Sequence, residues 1–161
     1  MAGLEKVRFF AFQQDNKKSK PNEDAYVCYQ SEGDYSFVVA DGVTRSVYGD
    51  PHYPFSARSA AETFCKVTAP ALVSGISHYR SFELANNAIA AVNQQAGITP
   101  ETVDYLNNDY ICCKAAAGVL LKECPRRFFY GHIGDCGILV YNGSLMPLFL
   151  SENNPLSVLK Q

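Results

Sequence analysis

Two acidic clusters, Asn22-Glu23-Asp24 and Ala40-Asp41-Gly42, stand at the two open ends of what reads as one short hairpin. Ala25 to Tyr29 and Tyr35 to Ala40 are rich in Val, Tyr and Phe, and Ser31-Glu32-Gly33-Asp34 between them supplies a turn whose glycine takes a positive φ. A tight turn sets the register of the strands it joins. Asp24 therefore falls opposite Asp41, with Cβ atoms roughly 4.5–5.5 Å apart, and Glu23 falls opposite Gly42. Like charges opposed across two strands repel, and carboxylates leaving a buried strand lose hydration, so protons or cations must compensate or stability is lost. Hard cations such as Mg²⁺ or Mn²⁺ suit the arrangement, because they take carboxylate, carbonyl and water oxygens. Gly42 lets the backbone approach an ion closely, which makes its carbonyl a candidate ligand.

Alone, each cluster is ordinary turn chemistry: Asp-Gly after a strand is a turn, and Asn-Glu-Asp after Pro21 is a solvated loop. A third acidic turn downstream reverses that reading. Phe128 to Asn142-Gly143 reads as strand, Gly134-Asp135 turn, strand, then an Asn-Gly hairpin signal.

Asn-Glu-Asp-Ala-Tyr, then Val-Ala-Asp-Gly, two helical segments, an apolar strand leading to Gly-Asp and a strand ending in Asn-Gly resemble, in order and spacing, the metal-dependent protein phosphatases of the 2C type. The resemblance runs from about Phe9 to about Pro155. It implies that Asp41 bridges two Mg²⁺ or Mn²⁺ ions, that Gly42 contributes a carbonyl, that Glu23 binds the second ion and that Asp24 holds a water in the metal shell. It further implies a weaker third metal position at Asp135. The chemistry so implied is two-metal hydrolysis of phosphoserine or phosphothreonine in a phosphoprotein substrate, with ions about 3.5–4 Å apart and no protein nucleophile.

Departures from the family pattern are specific. Ser19 stands where the family has a phosphate-binding Arg, with Lys17, Lys18 and Lys20 around it. Lys20 is the candidate replacement, although an ammonium lacks the bidentate fork of a guanidinium. After Asp41-Gly42 comes Val43-Thr44-Arg45-Ser46 in place of a glycine pair, which makes Arg45 a second phosphate-binding candidate. Cys136-Gly137 replaces the usual Ser-Arg after Gly-Asp. The family's two later metal-binding aspartates have no counterpart, since Glu152 is the only carboxylate side chain after Asp135. The expectation is therefore one domain over residues 1–161, the N-terminal part of an α+β, 2C-type αββα fold: an antiparallel β-sandwich flanked by helices. A catalytically silent phosphatase-like module and a purely structural assembly module are the alternatives.

Composition removes other classes. A formal net charge of -2 gives no electrostatic case for nucleic acid, and no apolar stretch nears the roughly 20 residues that span a bilayer. Glu5, Lys6 and Arg8 stand where a signal peptide has its apolar stretch, so a cytoplasmic location is expected. Six cysteines without a Cys-x-x-Cys read as buried free thiols, and His52, His78 and His132 as surface or satisfied core residues.

Ala57, Ala60, Ala61, Phe64, Val67 and Ala71 recur at helical spacing, as do Leu84, Ala85, Ala88, Ile89 and Val92 after a Ser81 N-cap, with Gly97 as the stop. Thr99-Pro100-Glu101 opens a further helical turn, and Tyr110 to Leu121, Phe128 to Ile133, Ile138 to Tyr141 and Leu145 to Leu150 read as strands. So much apolar strand with two good helices implies self-association or a partner that covers the strands.

Overall fold

The computed structural model of the chain describes residues 7–12, 22–43, 56–106, 109–125, 127–141, 144 and 147–150. Strands β1 (Asp24–Ser31) and β2 (Asp34–Gly42) form the hairpin around Glu32 and Gly33, both at positive φ (52° and 94°), the twist that matches right-handed strand pairs. Helices α1 (Ala57–Val73) and α2 (His78–Gln95) follow, then β3 (Cys113–Leu120), β4 (Phe128–Ile133), β5 (Leu139–Tyr141) and β6 (Pro147–Leu150). One antiparallel sheet has the order β1-β2-β3-β4, and β5 pairs with β6 in a second, two-stranded sheet. The α+β class and the antiparallel sheet carrying two helices agree with the sequence reading.

Strand alternation decides where the core lies. Ser36, Val38 and Ala40 of β2 and Ala115, Ala117 and Val119 of β3 are buried toward α1, which presents Ala60, Ala61, Phe64, Cys65 and Ala69. The small Ala side chains let α1 approach the sheet, and Ser36 Oγ donates to the Ala69 carbonyl at 2.8 Å inside that contact. Phe64 meets Phe82 of α2 edge-on at 5.0 Å, which joins the two helices.

Helix phases differ in part from those expected. The buried stripe of α1 continues through Thr68 and Leu72, leaving Val67 and Ala71 half-buried, and the helix accommodates Pro70 near its end. Ser81 is not the N-cap of α2. That role belongs to Ser77, whose hydroxyl accepts from the Arg80 N–H, while Ser81 is fully buried one turn inside the helix. Gly97, at φ 81°, ends α2 as expected, and the Thr99 segment is a turn in which the Val103 N–H donates to the Thr99 carbonyl. Beyond the helix, Asn93 fixes the approach to β3: its Nδ2 donates to the Ile111 carbonyl at 3.0 Å and its Oδ1 accepts from the Ile111 N–H at 2.8 Å.

Opposite the helices, the sheet face carries Phe128 stacked on Phe37 (5.3 Å between ring centres) and on Tyr130 (6.3 Å), with Gly118 as the floor of the stack. A Cβ at Gly118 would lie 2.4 Å from Phe128 and 2.5 Å from Phe37. Tyr26, 50 % exposed, and Val39, 48 % exposed, continue this face toward the acidic end.

Candidate functional site

The hairpin register places Asp24 opposite Asp41, and Asp41 opposite Lys114 of β3, so three charged residues cross one end of the sheet in a row. The Asn22 side chain accepts from the Asp24 N–H at 2.8 Å and fixes the entry to β1. The Gly42 N–H donates to the Glu23 carbonyl at 3.3 Å, which carries the pairing one step past the ladder and confirms that Glu23 faces Gly42. Gly42 is required here by packing: a Cβ would lie 2.5 Å from the Ala57 carbonyl oxygen and 2.7 Å from that of Glu23. The start of α1 thus rests on the glycine of the Asp-Gly pair. Arg58, in the first turn of α1, donates to the Asn22 carbonyl at 3.2 Å and is ion-paired with Glu62.

Asp41 is half-buried, and its carboxyl titrates above the ordinary aspartate range. Loss of hydration is the main cause and the Asp24 charge the next; Lys114 pulls the other way, while Asp135 and a hydrogen bond with Asp24 add to the rise. The repulsion expected from two opposed carboxylates is therefore present, and part of its compensation is an ammonium that the sequence reading missed. Lys114 Nζ donates to Asp135 Oδ2 at 2.6 Å. That contact raises the Lys114 pKa and lowers that of Asp135, as expected for an ion pair. A lone charged residue inside Cys112-Cys113-Lys114-Ala115-Ala116-Ala117 was the available signal.

The two ends of the row differ in how they fit a divalent cation. Asp24 and Asp41 fit one, because a half-buried carboxylate held up by burial and by a like charge is stabilised by any added positive charge. At Asp135 a cation would compete with Lys114, which already holds the carboxylate in an exposed ion pair. Among the described residues no three of His, Cys, Asp and Glu are grouped to hold a metal ion. Lys20 and Arg45, the phosphate-binding candidates, lie outside the described residues, as do Glu152 and the Asn142-Gly143 turn.

All six thiols are free, but Cys28 is exposed on the face opposite the helices, contrary to the buried reading, because β1 is an edge strand. Burial pushes the Cys65 and Cys113 thiols up to about 12, and Cys136, which borders Asp41, is raised as well. His78 makes a hydrogen bond with the Ala117 backbone, while its Nε2 and the Nδ1 of His132 are buried with no hydrogen-bond partner; His52 lies outside the described residues. A cavity of ≈ 310 Å³ lies on the helix side, between α2, the segment from Ile98 to Tyr110 and Ile133, remote in chemistry from the acidic row.

A sheet of this order with paired helices on one face and acidic residues at the strand ends makes an α+β domain. The family model described as protein phosphatase 2C matches residues 14–157. The chain belongs to the protein phosphatase 2C family. Among solved structures it resembles a Stage II Sporulation E family protein from Thermanaerovibrio acidaminovorans, with a TM-score of 0.53 and 19% identity over 77% of this chain and 52% of that one. It also resembles a bacterial serine phosphatase carrying an Arg-to-Glu substitution, with a TM-score of 0.50 and 14% identity over 87% of this chain and 57% of that one. At these identities the likeness is one of fold. The chain spans about half the length of the solved structures it resembles. The comparison with curated proteins gave no match. No described helix is long and apolar enough to cross a membrane.

Proposed function

We propose that the chain contributes the acidic hairpin end of a metal-dependent phosphoserine/phosphothreonine phosphatase, acting on phosphoproteins. The observation that carries this reading is the Asp24–Asp41 pair, two carboxylates held in cross-strand register beside Gly42 and Glu23 at the end of a rigid sheet. Asp24 and Asp41 would hold Mg²⁺ or Mn²⁺; Glu23 and the Gly42 carbonyl, opposite each other one step beyond the pair, are the further proposed ligands. Bound divalent ions supply an activated water and neutralise phosphoryl charge. The chain's own contribution is orientation. The Asn22 side chain fixes the Asp24 backbone, α1 and Glu23 confine Gly42, and neither carboxylate can turn to the other sheet face without breaking the ladder. Lys20 and Arg45 remain the proposed phosphate-binding residues.

Calorimetric titration of Mn²⁺ into wild type and Asp41→Asn tests the reading. Weak wild-type binding that Asp41→Asn abolishes is expected, because two carboxylates are few for a cation that prefers six oxygens. Equal binding by both removes it. Turnover of a phosphoserine peptide should be low and should depend on Asp41.

A second reading, a phosphatase-like module without activity, draws on the Lys114–Asp135 ion pair and on the scarcity of acidic ligands among the described residues. No Asp41-dependent turnover at any Mn²⁺ concentration, with Mn²⁺ binding intact, would favour it.

A further inference from the structure

The metal positions implied by the family resemblance and the side chains that occupy this site disagree at one place, Asp135. Lys114 is paired with Asp41 across β2 and β3, and its ammonium continues past the end of the ladder to Asp135 Oδ2, 2.6 Å away. The route of the stem is built into the fold. β4 leaves the ladder after Ile133, which pairs with Ala115, and Gly134 follows at φ 71°. A Cβ at Gly134 would lie 2.7 Å from Cγ and 2.8 Å from Cβ of Lys114. The glycine of the Gly-Asp turn therefore serves two needs, a left-handed backbone and space for the lysine stem, and together they aim the ammonium at the next residue.

A divalent ion approaching Asp135 meets the added positive charge of the ammonium and must displace it, so the two cations compete for this carboxylate. We propose that Lys114 is a tethered cation that replaces a metal ion at Asp135, so that the row accepts divalent metal at its Asp24–Asp41 end alone. The inference rests on the metal-dependent reading for the Asp24–Asp41 end; the Asp41→Asn comparison decides that reading and the Asp135→Asn and Lys114→Met comparisons decide this one, so the two fail separately. Removing the lysine opens the Asp135 carboxylate to a divalent ion.

The experiment is Mn²⁺ titration of the full chain, followed by calorimetry and by electron paramagnetic resonance of the free ion, on wild type, Asp135→Asn, Lys114→Met and the double variant Lys114→Met/Asp135→Asn. Wild type and Asp135→Asn should give superposable isotherms. Lys114→Met should bind Mn²⁺ at least threefold more tightly, and the double variant should lose that gain. Lys114→Arg, which keeps the charge, should behave as wild type. Asp135→Asn weakening wild-type binding threefold or more would overturn the proposal, as would Lys114→Met binding no more tightly than wild type. Should circular dichroism show that Lys114→Met does not fold, the wild type and Asp135→Asn comparison, in which Lys114 is retained, decides alone.

Discussion

Replacing Gly42 by Ala probes the contact on which the acidic end of the sheet is built. Gly42 has no positive φ, so the substitution brings no left-handed backbone penalty and its cost is steric. The new Cβ would meet three backbone atoms: the Ala57 carbonyl oxygen at 2.5 Å, the Ala57 carbonyl carbon at 2.7 Å and the Glu23 carbonyl oxygen at 2.7 Å. A flexible side chain would swing away from such a contact, but a helix start and a strand entry move only as units. Restoring ordinary contact requires α1 or the entry to β1 to retreat by about 1 Å, the kind of backbone shift that overpacking enforces at 1–3 kcal/mol. Because all three atoms belong to the backbone, the expected cost is at the upper end, about 3 kcal/mol. In a chain of this size that lowers the Tm by about 6–12 °C. Urea unfolding followed by circular dichroism gives the midpoint, and an unchanged slope assigns the shift to the folded state. Gly75→Ala is the comparison, since Gly75 lies at φ 82° with nothing within 4 Å of a Cβ, so only the left-handed penalty of about 1–2 kcal/mol applies. A Gly42→Ala variant within about 0.5 kcal/mol of wild type, or less destabilised than Gly75→Ala, would refute the packing of α1 on the Asp-Gly pair.

Other outcomes follow from the same coordinates. The raised folded-state pKa of Asp41 means that the folded chain holds this proton more tightly than the unfolded chain, so its contribution to stability is full below the unfolded aspartate value and is lost as pH rises through the folded one. In chelator, Asp41→Asn should therefore stabilise at pH 7 and progressively less toward about pH 4, near the ordinary aspartate value; a gain that grows on acidification in urea titrations would contradict this. Asn93→Ala removes two hydrogen bonds to the buried Ile111 backbone and should cost about 1–3 kcal/mol by urea unfolding, with a cost below about 0.5 kcal/mol contradicting the bridge. The sheet face bearing Tyr26, Val39 and Tyr130 should drive self-association at micromolar concentration, and a monomer by light scattering that unfolds in one cooperative step would show that it needs no cover.

The hairpin was legible because its determinants are local. Glu32-Gly33 selects the turn, the turn selects the register, and the register places Asp24 against Asp41 before any other part of the chain is considered. The limits of β4 and the stop of α2 at Gly97 are local in the same sense, set by alternation and by one glycine. Helix phase was only half legible. Apolar spacing marks a stripe, but whether Thr68 and Leu72 or Val67 and Ala71 close it depends on the angle at which α1 meets the sheet. The same docking buries Ser81, a residue whose type suits a cap, and leaves the cap to Ser77. Position in the sheet, which short-range pattern does not encode, exposes Cys28 on an edge strand. Lys114 is the clearest case. Its approach to Asp41 and Asp135 requires β3 to pair with β2 across the two intervening helices and β4 to turn at Gly134. The acidic pair is thus a property of the sequence, and the ammonium beside it a property of the tertiary structure, because contacts between residues far apart in the chain exist only once the chain has closed on itself.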